Sequence, residues 1–307
     1  MYYLVYGSLY LISLLPLGVL YLISDFACFL LYRVFGYRIP VVRNNLMIAF
    51  PDLSVEERKV IEKKFYHNFT DNFIETLKLF SGGADFALKH FTADGSLMEE
   101  QFRKGHRCQF HLGHNFNWEL ANVMVPRISS YEMLMVYLPI SNQVLNRVML
   151  KLRAISGNRM LAAGNIKKEL FPFRNSTYLL ALIADQVPGD VSKAYWLNFF
   201  GRATPFVWGP ERGAIVGGLA VFFGHVFKTK RGHYQLEYEL ITENAAELPP
   251  GELTRKYAKY LEQAMRAHPD CWLWSHRRWK REWKPEYEKL WIGEDTVPGL
   301  EDNSVGA

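Results

Sequence analysis

The first 24 residues carry no charged side chain and are rich in Leu, Ile, Val and Tyr. Asp25 is the first charge, and apolar residues resume through Tyr32. A run of this length and apolarity is long enough to enter a bilayer; the other reading is a buried helix of a soluble domain. It does not read as a cleaved signal, because it has no basic start and no small-residue cleavage site before the apolar run continues. Pro16 and Gly18 can kink it, so it either spans or turns back as a re-entrant hairpin. Arg33, Arg38 and Arg43 follow at once. The positive-inside rule then places the body of the chain on the cytoplasmic face. Residues 1–35 are read as an anchor, 36–290 as the folded domain and 291–307 as an acidic, disordered tail.

Beyond the anchor the chain alternates. Residues 41–80 read as helices, with a capping box at Ser54-Val55-Glu56-Glu57 and apolar positions at Phe65, Phe69, Phe73 and Leu77. Gly82-Gly83 is expected to end that region. Residues 133–138, 160–163 and 178–184 read as short buried strands, and 142–155 and the segment from Ile166 as helices. Residues 219–229 and 234–241 resemble a hairpin turning at Lys230-Arg231-Gly232-His233, followed by a helix over 252–267. The pattern predicts an α/β domain whose mixed sheet is largely parallel and flanked by helices. In such folds functional groups collect at the C-terminal ends of strands, where His114 and Asp185 both fall.

The net charge of +5 over 307 residues is modest. It suits an anionic membrane surface or an acidic partner, and no nucleic-acid recognition motif is visible. Cys28, Cys108 and Cys271 are odd in number and far apart, which argues against a disulfide framework and for a reducing compartment. HExxH, GxSxG, P-loop and GxGxxG patterns are absent. His111 and His114 form an H-x-x-H pair, but no zinc signature accompanies it and no metal is expected.

The segment His114-Asn115-Phe116-Asn117-Trp118-Glu119 follows the apolar stretch Cys108-Gln109-Phe110-His111-Leu112 and opens a helix-like run. A histidine at a strand-to-helix turn is well placed as a general base, and a nearby carboxylate can fix its tautomer. Positions i and i+5 do not share a helix face, so the pair works only with His114 in the turn and Glu119 in the helix. Read alone, the histidine serves equally as a helix cap or a core residue.

Four blocks in order resemble the lipid A biosynthesis acyltransferases, the late lauroyl/myristoyl transferases within the lysophospholipid acyltransferase group. The first is H-x4-[D/E], His114 and Glu119. The second is Tyr137-Leu138-Pro139 with Asn142, Arg153 and Gly157; the family often has a basic residue where this chain has Leu138. The third is Asp185-Gln186 with Phe199-Phe200-Gly201 through Thr204. The fourth is Trp272-Leu273-Trp274-Ser275-His276-Arg277-Arg278-Trp279-Lys280. The resemblance covers about residues 1–290, and makes residues 36–290 an acyltransferase domain of the glycerolipid acyltransferase type.

The resemblance implies transfer of a fatty acyl group from an acyl carrier protein thioester to a hydroxyl of a lipid A precursor, at the bacterial inner membrane. The thioester is a co-substrate, and no cofactor and no covalent acyl-enzyme is required. His114 is the implied base and Glu119 its partner, with backbone amides at the start of the following helix as oxyanion donors. Arg153 and Asp185 are implied as supporting groups, paired either with each other or as a structural salt bridge. Gln186, Arg277 and Arg278 are candidate substrate contacts. Arg147, Lys151, Lys167, Lys168 and the 277–281 cluster are candidates to meet the acidic carrier protein. The rival readings are an acyltransferase for another lipid, such as an amino-acid lipid or glycolipid, and an inert lipid-binding protein.

Overall fold

The computed structural model describes residues 1–298. The apolar N-terminus forms α1 (Tyr2–Ser13) and α2 (Leu17–Phe29). Pro16, which has no amide proton to donate, stands at the N-cap of α2 and separates the two. A π-helical turn continues α2, so Leu17–Val34 is one 18-residue apolar stretch of mean hydropathy 1.7. At 1.5 Å per residue it is about 27 Å long, close to the thickness of a bilayer core. It is a candidate membrane anchor.

Then come α3 (Ile39–Ala49), α4 (Val55–His90), β1 (Phe91–Thr92), α5 (Ser96–Arg103), β2 (Cys108–Leu112), α6 (Trp118–Met124) and β3 (Glu132–Tyr137). They are followed by α7 (Gln143–Arg153), β4 (Arg159–Ala162), α8 (Ile166–Leu170) and β5 (Tyr178–Ile183). The chain continues with β6 (Ala194–Phe199), β7 (Arg202–Val207), α9 (Gly209–Gly217), β8 (Ala220–Lys230), β9 (His233–Thr242) and α10 (Glu252–Ala267).

The main sheet has seven strands in the order β1-β9-β8-β2-β5-β3-β4. Only the β8–β9 hairpin is antiparallel; every other pairing is parallel. This is the expected mixed, largely parallel sheet flanked by helices. Cys108 and Phe110 of β2, Leu179 of β5, and Val221, Phe222 and Phe223 of β8 are all fully buried. Burial of consecutive residues marks central strands covered on both faces.

The capping box forms as read: Ser54 Oγ accepts from Glu57 N at 3.2 Å, and Ser54 N donates to Glu57 Oε2 at 2.7 Å. The glycine pair does not end α4. Gly83 breaks the helical path with φ of +50°, a conformation open to a residue without Cβ, and the helix resumes to His90. A second, unanticipated hairpin joins β6 and β7 through Phe200 and Gly201, both with positive φ, as tight hairpin turns require.

The α1–α2 segment lies along α4. Lys78 Nζ donates to Ser13 O and Leu15 O at 2.9 and 3.0 Å, and Ser81 Oγ to Ser13 O at 2.7 Å, which satisfies carbonyls at the end of α1. Arg147 and Lys151 of α7 each sit 4.2 Å over a tyrosine ring of α1, Tyr2 and Tyr6 respectively. At the other end, residues 291–298 do not hang free. Ile292 N donates to Trp196 O at 2.8 Å, Asn198 Nδ2 to Asp295 Oδ2 at 2.6 Å, and Trp283 Nε1 to Pro298 O at 3.0 Å. The boundary read at 290 therefore falls inside the packed structure, and 299–307 lie outside the described residues.

Candidate active site

The site follows from the register of two neighbouring parallel strands. Leu112 of β2 stands opposite Ile183 of β5, so the residues two further on, His114 and Asp185, face each other past the strand ends. Gly113 permits the approach: a Cβ there would lie 2.8 Å from Leu261 Cδ1 and 3.3 Å from Asp185 Oδ2. His114 Nδ1 is 2.5 Å from Asp185 Oδ1, and its backbone N–H donates to Asp185 Oδ2 at 2.8 Å. Trp272 Nε1 donates to the same Oδ2 at 2.7 Å. Asp185 is only 1% exposed. Burial acts to raise its pKa, but the His114 charge and the hydrogen bonds from His114 and Trp272 outweigh burial and bring it down to about 2. The carboxylate is thus ionised at neutral pH.

On the other edge of the imidazole, Gln186 Nε2 lies 2.9 Å from His114 Nε2. An ionised carboxylate accepts from Nδ1–H, and an amide N–H donates to Nε2. Both partners select the same tautomer, with the free lone pair on Nε2. The Trp118 ring closes the site edge-on, 5.8 Å from the imidazole centroid.

Glu119 is not the partner of His114. Its Oε1 accepts from Arg153 Nη2 at 2.5 Å, from Arg153 Nε at 3.1 Å and from Trp118 Nε1 at 3.1 Å, and its Oε2 accepts from Arg153 Nε at 3.1 Å. The turn at residues 115–117 and the start of α6 carry Glu119 past the ring, while the strand register brings Asp185 directly to it. Arg153 correspondingly pairs with Glu119 and not with Asp185. The Glu119–Arg153 bridge ties α6 to the end of α7; hydrogen bonds to Glu119 more than offset the burial of Arg153 and raise its pKa.

The expected oxyanion donors at the start of α6 are also occupied. Asn117 Oδ1 accepts from Glu119 N and Leu120 N at 3.1 and 3.2 Å, an N-cap that satisfies the helix start. His111, the other histidine of the H-x-x-H pair, sits inside β2 at 2% exposure with its Nε2 2.8 Å from the Gln109 side chain. Burial pushes its pKa down to about 3, so it stays neutral and inaccessible.

The basic C-terminal block divides. Arg277 and Lys280 are exposed. Arg278 is fully buried, its guanidinium 4.2 Å over the Phe206 ring, and burial lowers its pKa to about 10. It is therefore not a surface contact for a docking protein in this conformation. Trp272, the first residue of that block, is a hydrogen-bond donor to the site. The same block clamps the turn that carries His114: Leu273 N donates to His114 O at 3.1 Å and Phe116 N to Cys271 O at 2.7 Å.

The family model for bacterial lipid A biosynthesis acyltransferases matches residues 1–281. The chain belongs to that family. A comparison with curated proteins gives no match. Membership makes the chain an acyltransferase of lipid A biosynthesis, and the His114 site is the constellation in it fit for acid–base chemistry.

Proposed function

We propose that this acyltransferase moves a fatty acyl group from an acyl carrier protein thioester to a hydroxyl of a lipid A precursor, with His114 as general base and Asp185 as its partner. The observation that carries the reading is the polarised imidazole, held between a buried carboxylate at Nδ1 and an amide donor at Nε2. The acceptor hydroxyl displaces the Gln186 amide from Nε2. As its oxygen bonds to the thioester carbon, its proton passes to Nε2, and Asp185 stabilises the imidazolium. The freed Gln186 N–H is then a donor for the developing oxyanion. Collapse breaks the C–S bond, and the leaving thiolate takes the proton from the imidazolium. No covalent acyl-enzyme is needed, because the donor is already activated.

The anchor would hold this chemistry at the cytoplasmic face of the inner membrane, with Arg147 and Lys151 beside the α1 tyrosines at the level of anionic headgroups. Exposed Lys167, Lys168, Arg277 and Lys280 remain to meet an acidic carrier protein. The test is transfer by the purified protein in bilayer vesicles, with lipid mass spectrometry of a deletion strain to identify the acceptor. His114→Ala is expected to lower the rate about 10²–10⁴-fold with the fold intact. Near-normal turnover of that variant refutes the assignment, and a lipid A profile unchanged by deletion refutes the acceptor.

A further inference from the structure

Behind the catalytic turn lies a second polar assembly that the chemistry above does not use. Glu75, in the middle of α4, has no exposed surface. Its carboxyl group collects three donors from three separate segments. Tyr21 of α2 donates its hydroxyl to Oε1 at 3.0 Å, Tyr234 of β9 donates to Oε2 at 2.7 Å, and Asn117 Nδ2 donates to Oε2 at 3.0 Å. A buried carboxyl is tolerated only when its acceptors are satisfied, so each arm is fixed by the others. Asn117 is the residue whose Oδ1 caps α6, through the amides of Glu119 and Leu120. One side-chain amide therefore faces Glu75 with its nitrogen and the catalytic helix with its oxygen. Asn117 stands three residues after His114 in the turn, and Tyr21 belongs to the anchor.

We propose that Glu75 is a positioning residue that couples seating of the α1–α2 anchor to the geometry of the catalytic turn. This rests on the His114 reading for its functional consequence, though not for its structural one. With α2 docked on α4, Tyr21 completes the carboxyl's set of donors. Glu75 then holds the Asn117 amide in the orientation that caps α6, keeping Glu119 against Arg153 and the turn closed around His114. Undocking α2 removes the donor at Oε1, so the carboxyl can turn about the bonds it keeps at Oε2 and its hold on the Asn117 amide, and with it the cap, loosens. Two neighbouring contacts keep α2 in register for this role. Ser24 Oγ donates to Asp71 Oδ1 at 2.8 Å, and Arg231 bridges Asp71 and Asp25 with its Nη2 at 2.7 and 2.6 Å. The acyltransferase is thereby firm at its active site only when its anchor is in place.

The experiment compares the wild type with Tyr21→Phe, Glu75→Ala, Glu75→Gln and Tyr21→Phe/Glu75→Ala in phosphatidylethanolamine/phosphatidylglycerol vesicles. Hydrogen exchange is read over residues 115–124, with residues 178–183 of β5 as internal control, together with kcat and KM for transfer. Tyr21→Phe deletes one hydroxyl and is expected to speed exchange at 115–124 and to lower kcat, each about fivefold, as the loss of one net hydrogen bond does. KM, vesicle binding and exchange in β5 should not move. Glu75→Ala should have a larger effect, which the double variant does not exceed. Glu75→Gln keeps a carbonyl for Asn117 and Tyr234 while the Tyr21 hydroxyl turns to accept, and should stay within about twofold of wild type. Exchange at 115–124 within twofold of wild type in Tyr21→Phe overturns the coupling. So do equal acceleration in β5, which marks general loosening, and additive effects in the double variant. If the wild type itself transfers no acyl group, the proposed function fails while the exchange data still decide the coupling.

Discussion

Replacing Asp185 by Asn tests the site at its most determinate point. The two side chains have the same shape, so the change is one of hydrogen bonding and charge. Oδ2 accepts two N–H groups, from His114 backbone and Trp272 Nε1, whereas Oδ1 meets only the imidazole. An asparagine has one carbonyl to offer. Turned towards the imidazole, it would aim its NH2 at two donors; turned towards the two donors, it aims NH2 at Nδ1. The second orientation wins because it satisfies two buried N–H groups, while the Gln186 amide can turn its oxygen towards a protonated Nε2. Nδ1 must then accept, and the ring proton moves to Nε2, the atom that has to take the substrate proton. The variant is therefore folded and holds the wrong tautomer. In the serine-protease triad the equivalent change lowers kcat about 10⁴-fold, which is about 5 kcal/mol of barrier. A loss of about 10³–10⁴ in kcat is expected here, with KM for the thioester nearly unchanged. The assay is single-turnover transfer from acyl carrier protein thioester in vesicles, with the melting temperature as control. Retention of more than a tenth of wild-type kcat refutes the tautomer argument, and a larger loss in Glu119→Gln than in Asp185→Asn would return the role of partner to Glu119.

Arg153→Ala strands the buried Glu119 carboxylate without its cation; breaking such a pair costs about 3–5 kcal/mol, so a melting temperature lower by about 5–8 °C is expected, and an unchanged one would show the bridge to be dispensable. Deleting residues 1–24 removes the Tyr21 and Ser24 hydroxyls as well as apolar surface, so both membrane association and thermal stability should fall; complete retention in the membrane fraction would rule out the anchor. His111, His225 and His276 have folded pKa values of about 3, 4 and 4, lowered mainly by burial from 6.5. The unfolded chain takes up protons there that the folded chain refuses, so their stabilisation is full above about pH 6.5 and declines as pH falls towards 4, by up to about 4 kcal/mol per pH unit. Urea midpoints at pH 7.5, 6 and 5 check this, and equal midpoints would contradict it.

The strands, the long helices and the apolar N-terminal helices were readable because each is a local pattern: apolar runs between turn residues, a capping box at Ser54, a charge-free start. His114 was readable because it follows a buried strand. Its partner was not, since strand order decides it. Residues 108–112 and 178–183 are neighbours only because the chain crosses over through β3 and β4 between them, and nothing local distinguishes that order from others. Position did leave a signal, because both side chains stand two residues beyond their strands. Glu75 left one too. It lies with Phe65, Asn68, Asn72 and Leu79 on the buried stripe of α4, and a carboxylate in that stripe needs partners from elsewhere. The β6–β7 turn was hidden because Phe200 adopts a positive φ that its residue type does not advertise.

The clamp on the catalytic turn sets a schedule for biosynthesis. Residues 114–116 are bonded to the backbone of residues 271–273, which the ribosome adds about 160 residues after His114, some 8–30 s later at ordinary elongation rates. Until those residues are made, that ladder cannot close. A nascent or prematurely terminated chain ending before Cys271 therefore lacks the ladder that closes the turn around His114.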